Sequence, residues 1–191
     1  MKTSMWTRLA LALLCGWIPL SAPGDILAPN MNVKDSIGRV DSMQSEGGLT
    51  AQFWLTSDEQ IFSGWARTGA IRDLKPTVQV KRNTPLFLAL FLVDPGVRTI
   101  LGPNGKPTRN SNATFDLYVI NPNGILCLAN KARAAWKGEP PAPGLITLAR
   151  DRGVISFEAI DPLGQYTVIV IIHDNIRHID MKLSRRLELI D

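Results

Sequence analysis

"DPLGQYTVIVIIHDN", Asp161–Asn175, decides the fold. Pro162 and Gly164 make a turn, Tyr166 follows at the start of an apolar run, and the run closes on His173 and Asp174. A tyrosine just after a glycine at the start of a late strand is the mark of a tyrosine corner. In Ig-like sandwiches its hydroxyl folds back onto the preceding loop. Val168 stands two residues on, where an antibody domain has its cysteine, so the expected sandwich is disulfide-free. The run also has a partner downstream. A four-residue hairpin loop at 174–177 would set His173 opposite His178, Ile172 opposite Ile179 and Val170 opposite Met181. That register makes one face wholly apolar and leaves Ile169 and Ile171 on the other, beside Asp180 and Lys182.

Working outward, short apolar runs recur every 8 to 20 residues, among them "LTAQFWL", "QIFSGWA", "LFLALFLVD", "ATFDLYVI", "GILCLA" and "GVISFEAI". Between them lie "NPNG", "DRG", "DPG", "PPAPG" and "DPLG", where proline pre-sets φ and glycine supplies positive φ. This spacing predicts an all-β chain, an Ig-like antiparallel β-sandwich of about seven to ten strands. "ANKARAAWKG" alone has helical periodicity and is expected to form one turn in a loop. Residues 98–115 are expected to form a long polar loop with Arg98, Lys106 and Arg109, either a basic contact loop or a mobile connection.

The N-terminus carries Lys2, Arg8, an apolar run from Leu9 to Ile18 and small residues up to Gly24, so residues 1–24 are expected to be a secretory signal peptide. The run is shorter than a membrane span. Residues 25–48 show neither strand nor helix period and are expected to be a flexible arm, with the sandwich domain at 49–191. The expected compartment is the periplasm or the outside of the cell. Removing Lys2 and Arg8 from 21 basic side chains leaves 19 against 17 acidic ones, a balance with no overall footprint for nucleic acid. Of the two cysteines only Cys127 would remain after cleavage, and it alternates with aliphatics as a small buried hydrophobe does.

Catalytic motifs are missing. There is no G-x-S-x-G and no H-E-x-x-H. "GPNGKPT" lacks the glycine spacing and the Ser or Thr of a phosphate loop. The sequence reading is therefore a non-enzyme without a cofactor, a binding module for another envelope or secreted protein. Its contact residues are expected in "AAWKGEPPAPG", as Trp136, Lys137, Pro140 and Pro141, or on the Ile169 and Ile171 face. Trp136 either supplies contact area or caps an open end of the sandwich. One variant of this reading is an inhibitor or immunity protein of a secreted toxin. Another is a small copper- or zinc-binding protein using His173, His178 and Asp180, two imidazoles and a carboxylate on one hairpin face.

Three segments in order, "FDLYVINPNG" (115–124), "AAWKGEPPAPG" (134–144) and "IDPLGQYTVIVIIHDN" (160–175), resemble a group of uncharacterised exported proteobacterial proteins. The resemblance covers roughly residues 76–190 and implies an Ig-like sandwich of macroglobulin-domain type in an exported protein. It implies no activity.

Overall fold

The computed structural model describes residues 42–68 and 76–191. Its elements in order are β1 (Met43–Glu46), β2 (Leu49–Thr56), α1 (Gln60–Thr68), β3 (Gln79–Lys81), β4 (Leu86–Val93) and β5 (Arg98–Leu101). They continue with β6 (Pro107–Ile120), β7 (Leu126–Gly138), β8 (Thr147–Leu148), β9 (Gly153–Ile155), β10 (Gly164–Asp174) and β11 (Ile179–Ile190). One sheet runs β1-β2-β4, with β8 and β9 both on the far edge of β4; the other runs β3-β11-β10-β6, with β5 and β7 along β6. All pairs are antiparallel except β3 with β11. The expected Ig-like, disulfide-free sandwich is the observed architecture, and the Cys127 thiol donates to the Val119 carbonyl at 3.3 Å.

Strand β4 shows how the layers follow from the sequence. Leu86, Leu88, Leu90 and Leu92 point into the core between the sheets, against Phe115, Leu117, Val168 and Val170. Phe87, Ala89 and Phe91 point the other way and are covered by Ile61, Phe62 and Trp65 of α1. A strand buried on both faces needs a continuous apolar run, and "LFLALFLV" is one. The helical cover also corrects the reading of "QIFSGWA" as a strand. Ile61, Phe62 and Trp65 fall on one helical face, and the Asp58 carboxylate accepts the Gln60 N–H at 2.8 Å at the start of the helix.

The tyrosine corner is present. The Tyr166 hydroxyl donates to the Pro162 carbonyl at 2.8 Å, and the ring is fully buried against Phe157, with ring centroids 4.7 Å apart. The hairpin register differs from expectation by two residues: His173 pairs with Asp180, Ile172 with Met181 and Val170 with Leu183. A shift of two keeps every side chain on its predicted face. The cause is Asp174, which is buried and stays in the strand, so the turn becomes residues 175–178.

Other expectations are corrected. Residues 98–115 are no loop: β5 pairs with the start of β6 through a tight turn in which Gly102 N–H donates to Lys106 O at 2.9 Å. "ANKARAAWKG" forms most of β7 rather than a helical turn. A bulge there carries Ala132 at φ 55°, its N–H held by the Asp116 carboxylate at 2.8 Å. Of the arm expected at 25–48, Met43–Glu46 are a strand paired to β2; residues 25–41 and the expected signal peptide lie outside the described residues.

Arg185 breaks the inner-face series Met181, Leu183, Leu187 and Leu189. Its Nε–H donates to the Phe53 carbonyl of the opposite sheet at 2.9 Å, and its guanidinium lies 4.5 Å from the centre of the Trp54 ring. Burial lowers its pKa. The side chain closes the sandwich edge between β2 and β11 by satisfying a carbonyl that no strand reaches.

Candidate functional site

One end of the sandwich is organised around a buried carboxylate. Asp174 Oδ2 accepts the Gly96 N–H at 2.7 Å, while Oδ1 accepts the N–H groups of Ile176 at 3.0 Å and Arg177 at 3.1 Å. Gly96 is required here, because a Cβ at that position would press into the carboxylate itself. The Asp174 main-chain carbonyl accepts the His178 N–H at 2.8 Å. From this centre the contacts spread. The Arg177 guanidinium donates to the Asp94 carbonyl at 2.8 Å, and Asp94 Oδ1 accepts the Gly144 N–H at 2.7 Å. Three connections (residues 94–97, 139–146 and 175–178) are thereby linked into one hydrogen-bonded unit.

The 139–146 connection, "EPPAPGLI", is pinned at both ends. Trp136 Nε1–H donates to Glu139 O at 2.8 Å where it leaves β7, and Gly144, at φ 72°, is held by Asp94. Within it Leu145 N–H donates to Ala142 O at 3.1 Å, and Pro140, Pro141 and Pro143 fix three φ angles. Leu145 and Ile146 follow, each 52% exposed. A loop whose backbone is fixed and whose two aliphatic groups face water has little further entropy to lose on binding.

The predicted contact residues are placed as follows. Trp136 and Lys137 lie on β7, opposite Ala113 and Asn112, and not in a loop. Trp136 is half-buried against the core, with the Arg150 guanidinium 5.0 Å from its ring centre. Lys137 is exposed, and Pro140 and Pro141 are half-buried. On the other predicted face Ile169 is fully buried and Ile171 half-buried. Leu145 and Ile146 escaped the sequence reading because "GLITLA" reads as a strand, whereas β8 begins only at Thr147.

The histidine pair is not brought together as expected. His178 lies in the turn at φ 57° and is exposed. His173 instead sits between two carboxylates, with Nδ1 2.7 Å from Asp180 Oδ1 and Nε2 3.6 Å from Asp116 Oδ2. Both ring nitrogens are thus directed at carboxylates. Among the described residues no group of three His, Cys, Asp or Glu side chains is placed to hold a metal ion. The pairing of His173 with His178 that the copper or zinc reading assumed is replaced by His173 opposite Asp180.

Asp116 also accepts the Tyr118 hydroxyl at 2.9 Å. Burial, then the hydrogen bond to Asp116 and its charge, push the Tyr118 phenol up to about 12. The folded state therefore favours the neutral phenol. Its contribution to stability is complete below the ordinary phenol value of about 10 and is lost as pH rises through about 12. Tyr118 and Tyr166 are the two tyrosines of the chain. Ultraviolet titration of a Tyr166→Phe variant is expected to show one phenol ionising near the upper value; a midpoint at the ordinary value would contradict the burial.

No protein-family profile and no curated protein matches the chain. Among solved structures, a family 123 glycoside hydrolase from Clostridium perfringens is similar over 74% of this chain and 27% of its own, at 10% identity and a TM-score of 0.41. A Niemann-Pick type C2 protein from Japanese carpenter ant is similar over 80% of this chain and 94% of its own, at 6% identity and a TM-score of 0.39. Neither likeness carries an activity across. The reading of a non-enzyme is corrected: one fold hosts many functions, and missing motifs do not exclude catalysis. Among the described residues no helix is long and apolar enough to cross a membrane.

Proposed function

We propose that the protein is an exported binding module that docks another envelope or secreted protein through the end of the sandwich formed by residues 94–97, 139–146 and 175–178. The observation that carries this reading is the pinned proline loop with Leu145 and Ile146 each 52% exposed at its C-terminal end. Aliphatic side chains held out on a hydrogen-bonded loop bury their area at low ordering cost. The expected signal peptide at 1–24 and the resemblance to exported proteobacterial proteins support that compartment. A secreted toxin, with this chain as its inhibitor or immunity protein, is one form the partner would take.

The test is a pull-down from a periplasmic extract with the wild type and a Leu145→Ser, Ile146→Ser variant of unchanged melting temperature. A partner held by the wild type and lost by the variant supports the reading. A partner held equally by both overturns this choice of surface.

A further inference from the structure

We infer that the partner is an acidic protein, and that the β5–β6 hairpin is the arm that attracts it to the docking end; this rests on the reading just proposed. Strand β10 leaves β6 at Ala113 and β7 leaves it at Ser111, so Pro107–Asn110 pair with β5 alone. The hairpin therefore runs on past both neighbours as a two-stranded arm, about 13 Å long at roughly 3.3 Å per residue. The 139–146 loop departs from Gly138, opposite Ser111, at the foot of this arm.

The charges of the arm have one sign. From Val97 to Phe115 there is no Asp or Glu, while Arg98, Lys106 and Arg109 are all exposed, and none of the three forms an ion pair among the described residues. Lys137, exposed on β7 beside the foot of the arm, adds a fourth positive charge. Of the carboxylates at this end, Asp94 and Asp174 accept backbone N–H groups, while Glu139 on the docking loop and Glu46, beside the Gly47–Gly48 turn that meets Ile179 and Arg177, are exposed. Near the tip, Leu101 is 77% exposed. Exposed aliphatics and cations carried on neighbouring segments complement a partner surface that combines apolar groups with carboxylates, and such complementarity steers association and selects partners by charge.

The same surface offers poor recognition of other polyanions. Among the described residues it has no free aromatic on which a base would stack, since Trp136 is engaged by Arg150 and Glu139. Among the described residues it also lacks the exposed Trp and Tyr that settle at a lipid interface, its exposed large apolar groups being Val97, Leu101, Leu145 and Ile146.

A phage-displayed library of random dodecapeptides, selected on the wild-type protein, tests the inference. The expected result is enrichment of peptides with Asp or Glu flanking aliphatic residues. Their affinity should fall at least about tenfold on Arg98→Glu, Lys106→Glu, Arg109→Glu substitution and fall with added salt. Enrichment of neutral or basic peptides, no enrichment, or equal affinity for the charge-reversed variant would overturn it. So would sedimentation with phosphatidylglycerol vesicles that the same substitution abolishes, since the arm would then be a membrane contact. Acidic peptides whose affinity survives Leu145→Ser, Ile146→Ser would instead contradict the docking surface and leave the acidic preference standing.

Discussion

Asp174→Ala is expected to lower folding stability by about 3–5 kcal/mol, the range for removing one partner of a buried charged network. The carboxylate is fully enclosed, and its loss strands the N–H groups of Gly96, Ile176 and Arg177. Each orphaned buried donor costs about 1–3 kcal/mol, so the effect exceeds that of a typical surface substitution severalfold. Urea denaturation should show a lower midpoint at unchanged slope. Amide exchange should quicken first at Gly96 and Ile176 and then at Gly144, the far end of the contact chain through Arg177 and Asp94. A loss below about 1 kcal/mol would mean that the three connections do not depend on this carboxylate.

Tyr166→Ala is expected to cost about 3–5 kcal/mol, as for other buried aromatics cut back to a methyl group. Its ring fills the core against Phe157 and cannot be replaced by collapse of strands already paired on both sides, β11 and β6. Tyr166→Phe keeps the ring and removes the hydroxyl that bonds the Pro162 carbonyl, so about 1 kcal/mol is expected. The difference between the two variants separates packing from the corner hydrogen bond. Equal losses would show that the hydroxyl, and not the ring, holds the 158–163 connection in place.

The sandwich was legible because its signals are local. The Gly-x-Tyr turn, the two-residue alternation of β10 and β11, and the proline and glycine clusters each depend on a few neighbouring residues. The register of the last hairpin was read two residues short because Asp174 looks like a turn residue in sequence. Only the arrival of Gly96 from a connection 78 residues away makes its burial affordable. α1 was missed for a similar reason: "QIFSGWA" is too brief to show a helical stripe, and its apolar face is defined by β4, which comes later in the chain.

At the proposed docking end, the sequence pointed to the 134–144 segment, and the structure places several of its side chains differently from the expectation. Trp136 has the composition of a contact residue, but Arg150 and the Glu139 carbonyl engage it from either side. Leu145 and Ile146 look like strand residues and are left in water because β4 accepts only Thr147 and Leu148 beside it. The β5–β6 arm was hidden by its polarity. Strand propensity in "PTRNSN" is weak, and the pairing with β5 supplies what composition does not.

The most direct test of the docking end is site-specific photo-crosslinking in cells that make the protein naturally, with benzoyl-phenylalanine at position 146 and, in parallel, at position 160. Ile160 is 61% exposed on the 158–163 connection, which holds the Tyr166 hydroxyl through Pro162. A discrete adduct with one protein from position 146 and none from position 160 is the predicted result. The same adduct from both positions, or from position 160 alone, would contradict docking through residues 94–97, 139–146 and 175–178.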